Sequence, residues 1–101
     1  MAAPLVLDRA AIAAAAERYG VKRLVIFGSA VTGNFDESTS DVDFLVEFRD
    51  DVGNRFDAYF GLKESLEALF GHPVDLISAV ALENPYFAAS VEKTGHVVYA
   101  T

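Results

Sequence analysis

Two hydrophobic periods divide this chain. "RAAIAAAAERYG" is nearly all alanine, the strongest helix former, with Asp8 before it as an N-cap and Gly20 after it as a stop. It predicts a helix over roughly 9–19 whose Ile12 and Ala16 face can pack closely on a sheet. "VKRLVIF", 21–27, is a short β-branched run ending at Gly28, the pattern of a central strand. "GSAVTG" then reads as a tight turn or one helical loop, and "NFDESTS" as a polar connection. "DVDFLVEF", 41–48, alternates: Val42, Phe44, Val46 and Phe48 share one face, and Asp41, Asp43, Leu45 and Glu47 the other. After the charged turn "RDDVGNR", the stretch 56–70 carries Phe56, Tyr59, Phe60, Leu62, Leu66, Leu69 and Phe70 at helical spacing, a broad apolar stripe that reads as core. Gly61 sits inside that helix at some cost.

"GHP" breaks the second helix, and "VDLIS", 74–78, is a third short strand. Asn84 as cap, Pro85 at the first helical position and Gly95 as stop bound a third helix, and "HVVYA" predicts a last edge strand. The order is α, β, β, α, β, α, β, without internal repeats or a linker, which predicts one α/β domain spanning 1–101.

Composition narrows the function. The chain has 101 residues, 52% of them apolar, enough for one modest core. It has no cysteine, which removes disulfides, thiolate metal sites and cysteine nucleophiles together. The apolar run 10–16 is too short to span a bilayer, and no basic leader precedes it, so a cytoplasmic protein with no membrane partner is expected. A net charge of −7 argues against direct nucleic-acid binding, which needs clustered Lys and Arg. It suits a protein that recruits a divalent cation or a basic partner.

The acidic strand end is the candidate chemistry. Residues i and i+2 of a strand project to one face about 7 Å apart, so Asp41 and Asp43 point together. A neighbouring strand could bring Asp75 beside them. Like charges on one face repel, so three converging carboxylates make sense chiefly around a hard cation such as Mg²⁺, which takes oxygen ligands from a few carboxylates and from substrate phosphates. Upstream, Gly28 and Ser29 directly follow a strand, where a glycine permits close approach of a ligand and backbone N–H groups attract phosphate. A solvated strand end is the plainer account of Asp41 and Asp43, and an ordinary polar strand residue that of Asp75; their conjunction with Gly28-Ser29 favours phosphoryl or nucleotidyl transfer. Asp36 and Glu37 read as solvated, Ser40 as a loop support, and Lys63 and Arg23 as surface ion-pair residues. His72 and His96 have no second His or Cys at ligand spacing.

"GSAVTG", "SDVDFLV" and "VDLI" together resemble the polymerase β-type nucleotidyltransferase superfamily, and most nearly its minimal members, the MNT proteins. The resemblance covers nearly the whole chain from Val21. It implies a nucleotidyltransferase fold, a small mixed sheet with helices packed mainly on one face. It implies that Gly28 and Ser29 hold the nucleoside triphosphate, that Asp41, Asp43 and Asp75 bind two Mg²⁺ ions, and that Asp75 also helps deprotonate the attacking hydroxyl. It further implies an antitoxin that transfers AMP from ATP to a HEPN-domain RNase toxin, in a hetero-oligomer with that partner. Two features depart from the family pattern. Thr32 stands at the loop arginine's position and cannot grip phosphate bidentately, and the loop from Gly33 to Ser40 is one residue longer. A binding antitoxin that neutralises its partner by occlusion, without catalysis, therefore stays as the alternative.

Overall fold

The computed structural model describes residues 8–28 and 41–101. Ser29, Thr32, Asp36, Glu37 and Ser40 lie outside the described residues. Among these residues, three helices and a four-stranded sheet follow in the order α1 (Arg9–Arg18), β1 (Val21–Phe27), β2 (Val42–Phe48), α2 (Arg55–Phe70), β3 (Val74–Ser78), a 3₁₀ turn (Ala79–Glu83), α3 (Pro85–Thr94) and β4 (His96–Ala100). Local chemistry explains the boundaries. The Asp8 carboxylate accepts the Ala11 N–H at 3.1 Å, and the Asn54 side chain accepts the Asp57 N–H at 3.1 Å. Asn84 accepts the N–H groups of Tyr86 and Phe87 at 3.0 and 3.3 Å, with Pro85 at the start of the helix.

The sheet order is β3-β2-β1-β4, with β1 antiparallel to both neighbours and β3 parallel to β2. One face carries the main core. Leu24, Ile26, Val42, Phe44, Val46, Val74 and Leu76 from the strands meet Ile12 and Ala16 of α1 and Leu62 and Leu66 of α2. Ile12, Leu62 and Leu66 are wholly buried, each worth roughly 1.5–3 kcal/mol of transfer free energy. The other face is covered by α3 and the 3₁₀ turn over a smaller cluster of Val25, Phe27, Leu45 and Val91, flanked by Ile77, Leu82 and Phe87. Phe27 and Phe87 meet edge to face at 5.5 Å. Helices α1 and α2 thus share one face, and α3 packs on the other.

The apolar stripe of α2 is not wholly core. Phe56 and Phe60 are exposed and pack on each other at 4.7 Å, and Leu69 is exposed as well. Seven large side chains over four turns span a wider arc than one sheet can cover, so the residues outside that arc face solvent. Gly61 has a tertiary reason: a Cβ there would collide with the ring of Tyr19, which lies across the helix. Among the described residues, no helix is long and apolar enough to cross a membrane.

Candidate active site

The alternation along β2 sets the site. Val42, Phe44 and Val46 enter the main core, so Asp43 and Leu45 point to the opposite face, where Leu45 is buried under α3. In β3 the same alternation sends Val74 and Leu76 inward and Asp75 outward. The parallel register pairs Asp43 with Asp75 directly, and the Val42 N–H fixes it by donating to the Pro73 carbonyl at 2.9 Å. Both carboxylates therefore stand on one face of adjacent strands, about 4.8 Å apart in backbone spacing. Asp41 lies one residue before β2 and is exposed.

On the other side of Asp43 is the end of β1. Phe27 is its register partner, and Gly28 follows with φ of +77°, a left-handed conformation that favours glycine. A Cβ on Gly28 would come within 2.5 Å of the Asp43 Oδ2, so the missing side chain is what lets this carboxylate lie over the turn. The Gly28 N–H donates to the Thr94 hydroxyl at 3.2 Å and is thereby engaged within the protein. What Gly28 offers a ligand is close approach of its Cα.

Asp43 is half-buried, and its carboxyl is pushed above the ordinary value of 3.8. Burial is the largest cause, followed by the charge of Asp75 and then that of Asp41. Among the described residues no ion pair reaches Asp41, Asp43 or Asp75; the pairs present join Lys22 to Glu47, Arg49 to Asp51 and Lys63 to Glu67. Among the described residues, the cost of placing these carboxylates together is therefore not offset by an ion pair.

Two side chains of α2 hold β3 by its outer edge. The Tyr59 hydroxyl donates to the Leu76 carbonyl at 2.6 Å, and the Glu67 carboxylate accepts the Val74 N–H at 3.0 Å. These bonds lie on the residues either side of Asp75. They occupy an edge that would otherwise be open to another strand. Neither residue was singled out as part of the site by sequence reasoning, because the signal is a contact between a helix and a strand edge.

The donor chemistry suits a hard divalent cation: carboxylate oxygens only, with mutual repulsion that a cation would relieve. Among the described residues no three acidic or histidine side chains close around one point as a ready-made metal cage. Of the three carboxylates expected to converge, the register brings Asp43 and Asp75 together, and Asp41 lies one residue before the strand. A pair of carboxylates fits Mg²⁺, which keeps several waters and shares substrate phosphates, better than it fits a cation that needs an all-protein cage.

The sequence pattern that defines the nucleotidyltransferase domain matches residues 9–98. The chain belongs to this family. A relative from Methanocaldococcus jannaschii, provisionally named a protein adenylyltransferase, is 39% identical over 77 residues, 76% of each chain. The protein adenylyltransferase MntA of Thermococcus cleftensis is 41% identical over 68 residues, 67% of this chain and 66% of that one. A solved structure described provisionally as a minimal nucleotidyltransferase superposes with a TM-score of 0.71 at 33% identity, covering 87% of this chain and 86% of the other. A toxin–antitoxin crystal structure with AMP-PNP shares the fold, with a TM-score of 0.68 at 22% identity over 94% of this chain and 75% of that one. The mixed sheet and the helices packed on it are the nucleotidyltransferase fold, and the nucleotidyltransferase carries its Asp43–Asp75 pair on two adjacent parallel strands.

Proposed function

We propose that this nucleotidyltransferase is a Mg²⁺-dependent protein adenylyltransferase that acts as an antitoxin, moving AMP from ATP to a hydroxyl of a HEPN-domain toxin. One observation carries the reading: Asp43 is clasped between Asp75 on the adjacent strand and the left-handed turn at Gly28. The names of the relatives support adenylyl transfer. A related complex of a tri-AMPylated Shewanella oneidensis HEPN toxin with its MNT antitoxin supports the partner and the acceptor class.

In this reading Asp41, Asp43 and Asp75 hold Mg²⁺, and the cation supplies positive charge that offsets the triphosphate. Gly28 and Ser29 bring the backbone against the phosphates. Asp75, the exposed member of the pair, takes the proton of the acceptor hydroxyl. The hydroxyl oxygen bonds to the α-phosphorus, the bond from that phosphorus to the bridging oxygen breaks, and pyrophosphate leaves with the electron pair. The joining of β1, β2, β3 and β4 in one sheet supports a single domain. A cytoplasmic location goes with ATP as substrate. The exposed side chains of Phe56, Val80 and Tyr86 are available to a protein partner.

The test incubates the protein, ATP labelled in the α-phosphate, Mg²⁺ and a HEPN-domain partner. Label is expected on the partner with wild type and absent with Asp43→Asn. Partner neutralisation that persists without label in Asp43→Asn would instead establish the occlusion reading, which the threonine at position 32 favours.

A further inference from the structure

The last turn of α3 reaches back to the turn that closes β1. The Thr94 hydroxyl accepts the Gly28 N–H at 3.2 Å and donates to the Ser90 carbonyl at 3.1 Å. Sixty-six residues separate the two partners of the first bond, so this is a tertiary tie and not a turn's own closure. The helix end is seated firmly where the tie is made. A Cβ on the next residue, Gly95, would come within 2.9 Å of Val25 Cγ1, and would also meet the Val91 carbonyl. The back-bond to Ser90 is ordinary for a threonine in a helix; the bond to Gly28 is the added function.

Gly28 faces two ways. Its N–H points to Thr94, and its Cα lies against the Asp43 carboxylate. The peptide of a glycine is the most easily rotated in the chain, because no Cβ restricts it. A residue that must be glycine for Asp43 to fit therefore needs an outside restraint to hold one orientation. Thr94 supplies it.

We propose that Thr94 is a positioning residue for nucleoside triphosphate binding: its hydroxyl fixes the Gly28 peptide so that the turn and the Asp43 carboxylate keep one geometry. The role rests on the nucleotidyltransfer reading above. It is distinct from the contacts of the ligand itself, because Thr94 acts through Gly28.

The experiment compares the full-length wild type with Thr94→Val, which keeps the shape and removes the hydroxyl, and Thr94→Ser, which keeps the hydroxyl. Three quantities are measured: ATP affinity by calorimetry in Mg²⁺, amide hydrogen exchange at Gly28, and the melting temperature. In Thr94→Val, exchange at Gly28 is expected to accelerate and ATP affinity to fall, each by about three- to tenfold, the range set by one lost backbone hydrogen bond. The α3 and sheet amides should keep their protection, and Thr94→Ser should restore both quantities. Wild-type affinity in Thr94→Val despite faster exchange at Gly28 would overturn the role. So would equal losses in Thr94→Val and Thr94→Ser, or exchange at Gly28 that does not change. Wild-type protein that binds no ATP would overturn the nucleotidyltransfer reading itself, and this role with it.

Discussion

Asp43 and Asp75 face each other across a parallel strand pair with no basic side chain between them among the described residues. The partial burial of Asp43, then the charge of Asp75 and then that of Asp41, raise the carboxyl of Asp43 above its ordinary value. A carboxyl whose folded-state pKa is raised binds its proton more tightly in the folded chain. Its charge therefore opposes folding above that raised pKa, and the penalty disappears as pH falls to the unfolded value near 3.8.

Asp43→Asn removes this charge at nearly constant shape. The metal-free variant should be more stable than wild type at neutral pH, by on the order of 1 kcal/mol after screening. The gain should shrink as pH falls through the raised pKa and vanish below about 3.8. Wild type should also melt higher with Mg²⁺ than with EDTA, and the variant should not. Thermal melts of both proteins across pH, with each additive, check all three outcomes. A variant that melts lower than wild type at neutral pH in EDTA would mean that Asp43 has a stabilising partner.

Gly28→Ala should damage both fold and site. Alanine at a φ of +77° is strained, and its Cβ would drive the Asp43 carboxylate from its place. A loss of about 1–3 kcal/mol in chemical denaturation is expected, with ATP binding reduced beyond calorimetric detection. Retention of wild-type ATP affinity would show that the clasp of Gly28 on Asp43 is unimportant for the ligand.

Tyr59→Phe deletes the bond to the Leu76 carbonyl while keeping the ring. The expected cost is about 1 kcal/mol of stability. Because that carbonyl lies next to Asp75, transfer should slow more than ATP affinity falls. Urea denaturation and a kcat–KM separation read the two effects. Equal loss of kcat and affinity would count against a local effect on Asp75.

Gly61→Ala reverses the usual sign. Alanine in a helix interior ordinarily stabilises by about 1 kcal/mol over glycine. Here the Cβ would meet the Tyr19 ring, so the variant should melt lower than wild type. Adding Tyr19→Ala should restore the ordinary gain relative to the Tyr19→Ala background.

The helices and strands, and which side of each strand is apolar, were written in short-range sequence. Asp8 and Asn84 cap helices through hydrogen bonds that span three residues or fewer, and the alternation of β2 assigns Asp43 and Leu45 to one face without any knowledge of neighbours. Such signals are local, so they survive in a one-dimensional reading. Gly28 and the two aspartates were legible for the same reason: a glycine at a strand end and acids at strand spacing are short-range anomalies. Tertiary structure decided what those anomalies face. The pairing of β2 with β3, across the intervening α2, brings Asp75 opposite Asp43. It also decided that Phe56 and Phe60 fall outside the arc covered by the sheet, that Tyr19 needs Gly61, that Tyr59 and Glu67 hold the edge of β3, and that Thr94 meets Gly28. Each of these is a contact between elements far apart in the chain. A residue's propensity and period carry no information about which distant partner the collapsed core will bring to it.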